Sequence, residues 1–211
     1  MASSNAGTKG VPRADRELQI LDIAAEEFAR CGYARASIAD IARRAGISKP
    51  LIYVYFESKD GLYLACLRRA GDALVQSVAA AQKSVTALRA LDTLEAIFTA
   101  LEPRRHDWLI LNDHSLPAES VVREEARRYR RALSDLGATG TAEVLATAGS
   151  ADLLDRSLTL HLWLNTVTSA VQWWLDHPDE SASAMTARCT RILGALVAAE
   201  ELGTSTRTKD R

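Results

Sequence analysis

Residues 37–59, SIADIARRAGISKPLIYVYFESK, restrict the possible folds more than any other part of the chain. Ser37 suits a helix N-cap, and Ile38, Ile41, Ala42 and Ala45 follow at the spacing of one apolar helical face. Gly46 falls where a helix end needs a residue that tolerates positive φ. Ile47 supplies an apolar anchor beneath the turn, Ser48 can cap the next helix, and Pro50 sits in that helix's first turn, where its missing N–H costs little. Two short helices joined by a glycine turn form a helix-turn-helix, the arrangement that lays a second helix in the major groove of DNA.

The apolar positions can lock two such helices at a steep angle. Ala42 is small where the second helix must approach, and Ile41, Ala45, Ile47 and Ile52 can share one seam. That leaves Arg43, Arg44, Lys49 and Val54 pointing outward. A generic helical hairpin would show the same seam, so the residues that follow matter. Tyr53, Tyr55 and Phe56 run into Glu57-Ser58-Lys59-Asp60 and Leu62, where Ser58 can cap a third helix. Between Arg35 and Lys59 the basic residues are Arg35, Arg43, Arg44, Lys49 and Lys59, against acidic Asp40 and Glu57. Such a run suits either a solvated face or phosphate contacts.

The string resembles the DNA-binding domains of the TetR family of transcriptional regulators. Those carry a capped helix with I-A-x-x-A-G-[IV]-S, a short helix with L-Y-x-[HY]-F, then S-K and an acidic residue. The matching residues are Ile41-Ala42-Arg43-Arg44-Ala45-Gly46-Ile47-Ser48, Ile52-Tyr53-Val54-Tyr55-Phe56 and Ser58-Lys59-Asp60. Residues 18–28 look like the family's first helix, with Gly32-Tyr33 marking its end, so the match covers residues 13–65. The resemblance implies an all-α fold, with a three-helix DNA-binding domain over 13–60 and a helical effector-binding and dimerisation domain over 61–203; the small, polar and charged residues of 1–12 and 204–211 read as a disordered arm and tail.

It also implies roles. Ser37, Ser48, Tyr53 and Lys59 match positions that touch phosphates, and Arg43 and Arg44 add charge beside them. Lys49, Pro50, Leu51 and Val54 are candidates for base edges, with Tyr55 on the same helix. Family members often carry glycine or a small polar residue at the places of Pro50 and Leu51, and histidine at that of Val54. Here the apolar residues favour contact with thymine methyl groups. The implied partners are a palindromic double-stranded operator, a second copy of the chain and a small-molecule effector of unknown identity.

At 211 residues the chain is long enough for one domain or a small domain plus a larger one. Its 47% hydrophobic and 25% charged residues are those of a globular protein, and a net charge of −1 excludes wholesale polyanion binding while leaving room for a local basic patch. Cys31, Cys66 and Cys189 are odd in number and far apart, which fits a reducing cytoplasm rather than a disulfide framework or zinc cluster. No apolar run reaches membrane-spanning length, and MASSNAGTKG lacks the apolar core of a signal peptide. No cofactor is expected.

Beyond Leu62 the pattern stays helical. A long helix leaves the first domain, and an amphipathic one spans 87–101 with Leu88, Leu91, Leu94, Ile97, Phe98 and Leu101 on one face. Trp108-Leu109-Ile110-Leu111 is a short apolar helix or turn. A charged helix over 118–136 ends at Gly137, and 140–149 forms a short helix between loops. Helices over 152–175 and 180–202 close the chain. The first is apolar nearly all round, through Leu158, Leu162, Val167, Val171, Trp174 and Leu175, so the pair is expected to build a homodimer interface. His161, Asn165, Thr168 and Gln172 form a polar stripe among those leucines, which would need partners across the dimer or in a cavity. Phe98, Trp108, Leu111, Tyr129, His161 and Asn165 are the candidate effector contacts.

Two other readings compete. His106-Asp107 and Asp113-His114 flank the short helix and could ligate a metal, as in a metal-dependent enzyme, but their spacing matches no known motif. There is also no phosphate loop, nucleophile elbow or C-x-x-C pair. A helical scaffold explains the long helices but not the arrangement of Tyr53, Tyr55 and Lys59.

Overall fold

The computed structural model describes residues 12–83 and 89–209, and all regular structure among them is helical. The helices are α1 (Arg13–Arg35), α2 (Ile38–Arg44), α3 (Lys49–Phe56), α4 (Lys59–Ala81), α5 (Arg89–Leu101), α6 (Asp107–Leu111), α7 (Val121–Thr147), α8 (Leu153–Leu175) and α9 (Ala182–Lys209), with a 3-10 turn at Glu102–Arg104. They fall into two compact units, one from residues up to 73 with 106–131, the other from 74–105 with 132 onward. The first unit is thus larger than the expected 13–60. It takes in α6, which packs on α1, and the start of α4, whose Tyr63 hydroxyl donates to the Ile110 carbonyl at 2.8 Å.

In the first unit α1 turns at Gly32, whose φ of 72° lies in the left-handed region. The turn is held from outside the helix, because the Asp113 carboxylate accepts the Tyr33 N–H at 2.6 Å and the Ser115 N–H at 2.7 Å. Tyr63 packs there edge to face on two rings, 5.3 Å from Tyr33 and 4.8 Å from Phe28. Ile20, Ala24, Ile41, Ile52, Leu62 and Leu67 fill the rest of this core.

In the second unit α5 packs on α9 and buries Leu94, Ile97, Phe98 and Leu101. Fully buried Trp174 meets Phe98 edge to face at 5.3 Å and donates its indole N–H to the Glu180 carbonyl at 2.8 Å. Arg105 lies over the Trp174 ring, 4.1 Å from its centre, and donates to the carbonyls of Pro178 and Glu180 at 3.0 and 2.6 Å. The α8–α9 connection is therefore pinned by one cation on one aromatic ring.

Two expectations need correction. Gly137 does not end a helix, since α7 runs unbroken to Thr147. Gly137 and Gly140 instead lie one turn apart on a crowded face: a Cβ on Gly137 would come within 3.3 Å of Leu160, and one on Gly140 within 2.7 Å of Gln82 Oε1. Packing, not chain termination, accounts for both glycines. The real stop is Gly149 at φ 83°, where Ser150 and Gly149 donate back to Leu145 and Ala146. The tail expected to be disordered from residue 204 is helical to Lys209, with no glycine or proline after Gly203 to stop it. The arm over 1–12 lies outside the described residues except for Pro12, which precedes α1.

Replacing Trp174 with alanine removes the ring on which Phe98 and Arg105 both rest. It should destabilise the second unit by about 3–5 kcal/mol in urea unfolding followed by far-UV circular dichroism.

Candidate nucleic-acid interface

The geometry of the outward helix is set by the turn before it. Gly46, at φ 65°, donates to the Arg43 carbonyl at 3.2 Å, and Ile47 donates to that of Ala42 at 3.0 Å. These two reversed hydrogen bonds close α2 and turn the chain into α3. Ser37 caps α2 by accepting the Asp40 N–H at 3.2 Å. Ile41 and Ile52 are fully buried and Ala45 nearly so, forming the expected seam between α2 and α3, with Ile47 half-buried at its edge.

Burying Ile52 and Phe56 decides which side chains of α3 face outward. Lys49, Pro50, Tyr53 and Val54 are exposed, Val54 at 66%, while Leu51 and Tyr55 are half-buried. Ser48 precedes the helix but makes no side-chain cap bond, so its hydroxyl stays on the exposed surface. The Lys49 ammonium lies 5.8 Å from the centre of the Tyr53 ring. At the other end, Glu57 takes a φ of 66° and Ser58 donates to Phe56 at 2.7 Å, a tight reversal out of α3. A Cβ on Gly61 would collide with the carbonyl oxygen of Phe56, so the start of α4 needs glycine there. Ser58 caps α4 by accepting the Gly61 N–H at 3.0 Å.

The cations divide into two kinds. Arg43 is 76% exposed and pairs with Asp40 on its own helix, at 2.7 Å. Arg44, expected to point freely outward, is tied to Glu26 and lies 3.7 Å from buried Glu27. The hydrogen bonds from Arg30 hold the Glu27 carboxyl below its usual range despite burial. Lys59 departs further: its ammonium donates to the Ala36 carbonyl at 2.8 Å and lies over Tyr33 at 4.7 Å, and burial lowers its pKa. It therefore joins α4 to the α1–α2 corner. Arg13 was not foreseen. Its guanidinium lies 5.2 Å over the Tyr55 ring and brings a charge from the start of α1 to α3.

The other candidates divide between the units. Trp108, Leu111 and Tyr129 are buried in the first, and Tyr129 donates to Asp72 at 2.7 Å. Phe98 is core in the second. His161, Asn165, Thr168 and Gln172 are all exposed, so the polar stripe is not buried within the chain; Asn165 and Thr168 bond back to the carbonyls of His161 and Leu164. The second unit contains an open recess of ≈ 170 Å³ lined by none of these, but by Gln82, Thr93, Gly137, Gly140, Thr141 and Trp163 among others. The two glycines on one face of α7 were the sequence sign of it. No group of metal-ligating side chains occurs among the described residues, and Asp113 is occupied by the Gly32 turn.

The comparisons agree with this geometry. Residues 20–66 match the model for bacterial regulatory proteins of the tetR family. The chain is 33% identical over 168 residues to the HTH-type transcriptional regulator BetI of Cronobacter sakazakii, covering 73% of this chain and 80% of that protein. The chain belongs to the TetR family. It is also 35% identical to the HTH-type transcriptional activator FasR of Mycolicibacterium smegmatis over 64% of this chain, an alignment spanning 62% of that protein's length. A crystal structure of the transcriptional regulator FadR from Bacillus subtilis in complex with stearoyl-CoA shares the fold, with a TM-score of 0.63 at 19% identity over 85% of this chain and 97% of that one.

Tyr33 supplies a pH test of the corner behind α3. Burial, then the hydrogen bond it donates to Asp60, raises its pKa from 10.0 to about 12. The folded-state value lies above the unfolded one, so the stability it contributes is complete below pH 10 and lost as pH climbs toward 12. Wild type should lose stability over that window, with tyrosinate absorbance rising late, and Tyr33→Phe should flatten the loss.

Proposed function

We propose that this protein is an effector-responsive transcriptional regulator that binds a palindromic operator as a homodimer and represses by occluding a promoter. The observation that carries the reading is the outward face of α3, where Lys49, Pro50, Tyr53 and Val54 stand clear of a core closed by Ile41 and Ile52. A rigid helix with that face exposed suits a major groove about 12 Å wide. Lys49, Pro50, Leu51 and Val54 take base edges, with Val54 offering an apolar surface to thymine methyl groups. Arg43, Arg13 and the hydroxyls of Ser48 and Tyr53 take phosphates. Arg44 and Lys59 chiefly hold the reading head together, and Ser37 caps it.

Dimerisation accounts for side chains the chain leaves uncovered. Leu153, Leu154, Leu158 and Leu162 on α8 are between 58 and 79% exposed, with Trp173 at 41% and Ile192 on α9 at 61%. An apolar row of that length is costly in water and suits a second copy of the same surface. His161, Asn165, Thr168 and Gln172 then face the partner. Two reading heads meet half-sites about one helical turn, or a multiple of it, apart. The effector acts by binding one arrangement of the pair more tightly than the other, and α4, which contributes residues to both units, is the element through which that preference is passed on.

An acyl thioester is the effector class proposed, on the strength of the FadR structure with stearoyl-CoA. Activation is the second reading, favoured because the relative FasR is named an activator. A reporter under the bound promoter separates the two, since deleting the protein raises expression under repression and lowers it under activation. The site of action is the cytoplasm, where such an operator lies.

In gel shifts on a captured operator, Arg43→Ala should weaken binding about equally on all sequences and reduce the slope of log K against log salt by about 1. Val54→Ala should weaken it only where thymine lies opposite, and replacing that thymine with uracil should reproduce the loss. Leu158→Asp with Leu162→Asp should turn a dimer into a monomer in sedimentation equilibrium without unfolding the chain.

A further inference from the structure

The first turns of α7 carry more positive charge than the protein itself uses. Arg123, Arg127 and Arg131 recur at every fourth residue, so they stand one above another along one face of the helix. Arg130 joins that face from its inner side. Arg127 and Arg131 are exposed, while Arg123 and Arg130 are half-buried. Arg130 is held by the bond it donates to the Leu111 carbonyl at 2.6 Å, where α6 ends. Burial lowers its pKa, and the charges of Arg127 and Arg123 lower it further, so these guanidiniums act on one another. None of the four makes an ion pair among the described residues.

Their neighbours on α7 behave differently. Arg128 closes on Glu125 at 2.8 Å, and Glu125 also pairs with Arg68 of α4 at 3.3 Å. That carboxylate is spent, and Arg128 with it. The row remains a strip of like charge, which destabilises a helix at this spacing until a counter-charge arrives.

The place and shape of the row decide what that counter-charge is. α7 runs beside α4 in the same direction, since Glu125 meets Arg68 and Tyr129 meets Asp72. At about 1.5 Å per residue, Arg68 and Asp72 stand roughly 14 and 20 Å along α4 from Lys59, so the row is set apart from the outward face of α3. From Arg123 to Arg131 it is about 12 Å long and one side chain wide. Exposed Glu124 lies along its outer edge, with the Glu125–Arg128 pair beyond. A broad nucleic-acid backbone would press its phosphates on those carboxylates. Carboxylates projecting at every fourth residue of another helix match the row in pitch and width, and each meets a guanidinium as a planar fork.

We propose that the row of Arg123, Arg127 and Arg131, backed by Arg130, is a docking surface for an acidic helix of a partner protein. Arg127 and Arg131 take its carboxylates directly, and Arg123 and Arg130 add charge beside them. The proposal goes beyond operator binding and does not depend on the effector.

The probe is a stapled helical peptide with glutamate at every fourth position, labelled with fluorescein and titrated with the full chain at low salt by anisotropy. The same peptide with glutamine is the reference. The glutamate peptide should bind more tightly, and the Arg127→Ala, Arg131→Ala double variant should weaken it about fivefold. Arg128→Ala, which removes an arginine already spent on Glu125, should leave it little changed. The double variant should keep the operator gel shift and the sedimentation mass of wild type. Equal binding of the two peptides overturns the inference, as does a loss in Arg128→Ala as large as that in the double variant. A labelled oligothymidylate that binds as tightly and loses as much makes the row a nucleic-acid surface and also overturns it. A fall in sedimentation mass does the same by making the row an interface between copies of the chain. If the double variant loses operator and peptide together, this inference fails and the regulator reading stands.

Discussion

The way α1 stops governs the first unit. At Gly32 the backbone enters a region closed to other residues at low cost, and Asp113 draws in the freed Tyr33 N–H. Tyr33 then serves three neighbours: its ring packs against Phe28 and Tyr63, its hydroxyl donates to Asp60, and its face supports Lys59. Lys59 in turn holds the Ala36 carbonyl just before the cap of α2. The reading head is thus braced from behind by a network of aromatic rings, two carboxylates and one ammonium. Its outer face can then vary without disturbing the frame.

This division of labour clarifies the charges. Arg44 and Lys59 resemble contacts when counted as positive residues, yet both are largely spent on the protein itself. Arg43 and Lys49 remain outside, and Arg13 joins them by lying over Tyr55. A cation already paired inside the protein must give up that partner before it helps a phosphate, which lowers its net contribution.

The second unit follows a different principle. Its interior face is closed by Trp174, Phe98 and the Arg105 clamp, while the outer face of α8 keeps a row of leucines in water. The same helix therefore carries two apolar faces, one buried within the unit and one exposed. The glycine pair on α7 lets Leu160 and the Gln82 amide come close to its backbone.

Local features were legible in the sequence. The Ser37 and Ser58 caps, the Gly46 turn, the Ile41–Ile52 seam and the two closing helices depend on residues within a turn or two of one another, so spacing and side-chain chemistry specify them. Family membership was legible for the same reason, because its signature lies in one continuous stretch. The roles of Lys59, Asp113, Gly137 and Gln82 were not. Each depends on a partner far along the chain: Ala36, Tyr33, Leu160 and Gly140. A glycine that ends a helix and one that admits a neighbouring side chain look alike in sequence, and so do a lysine that meets solvent and one that bridges two helices. Only the packed structure distinguishes them, because the difference lies in what stands opposite.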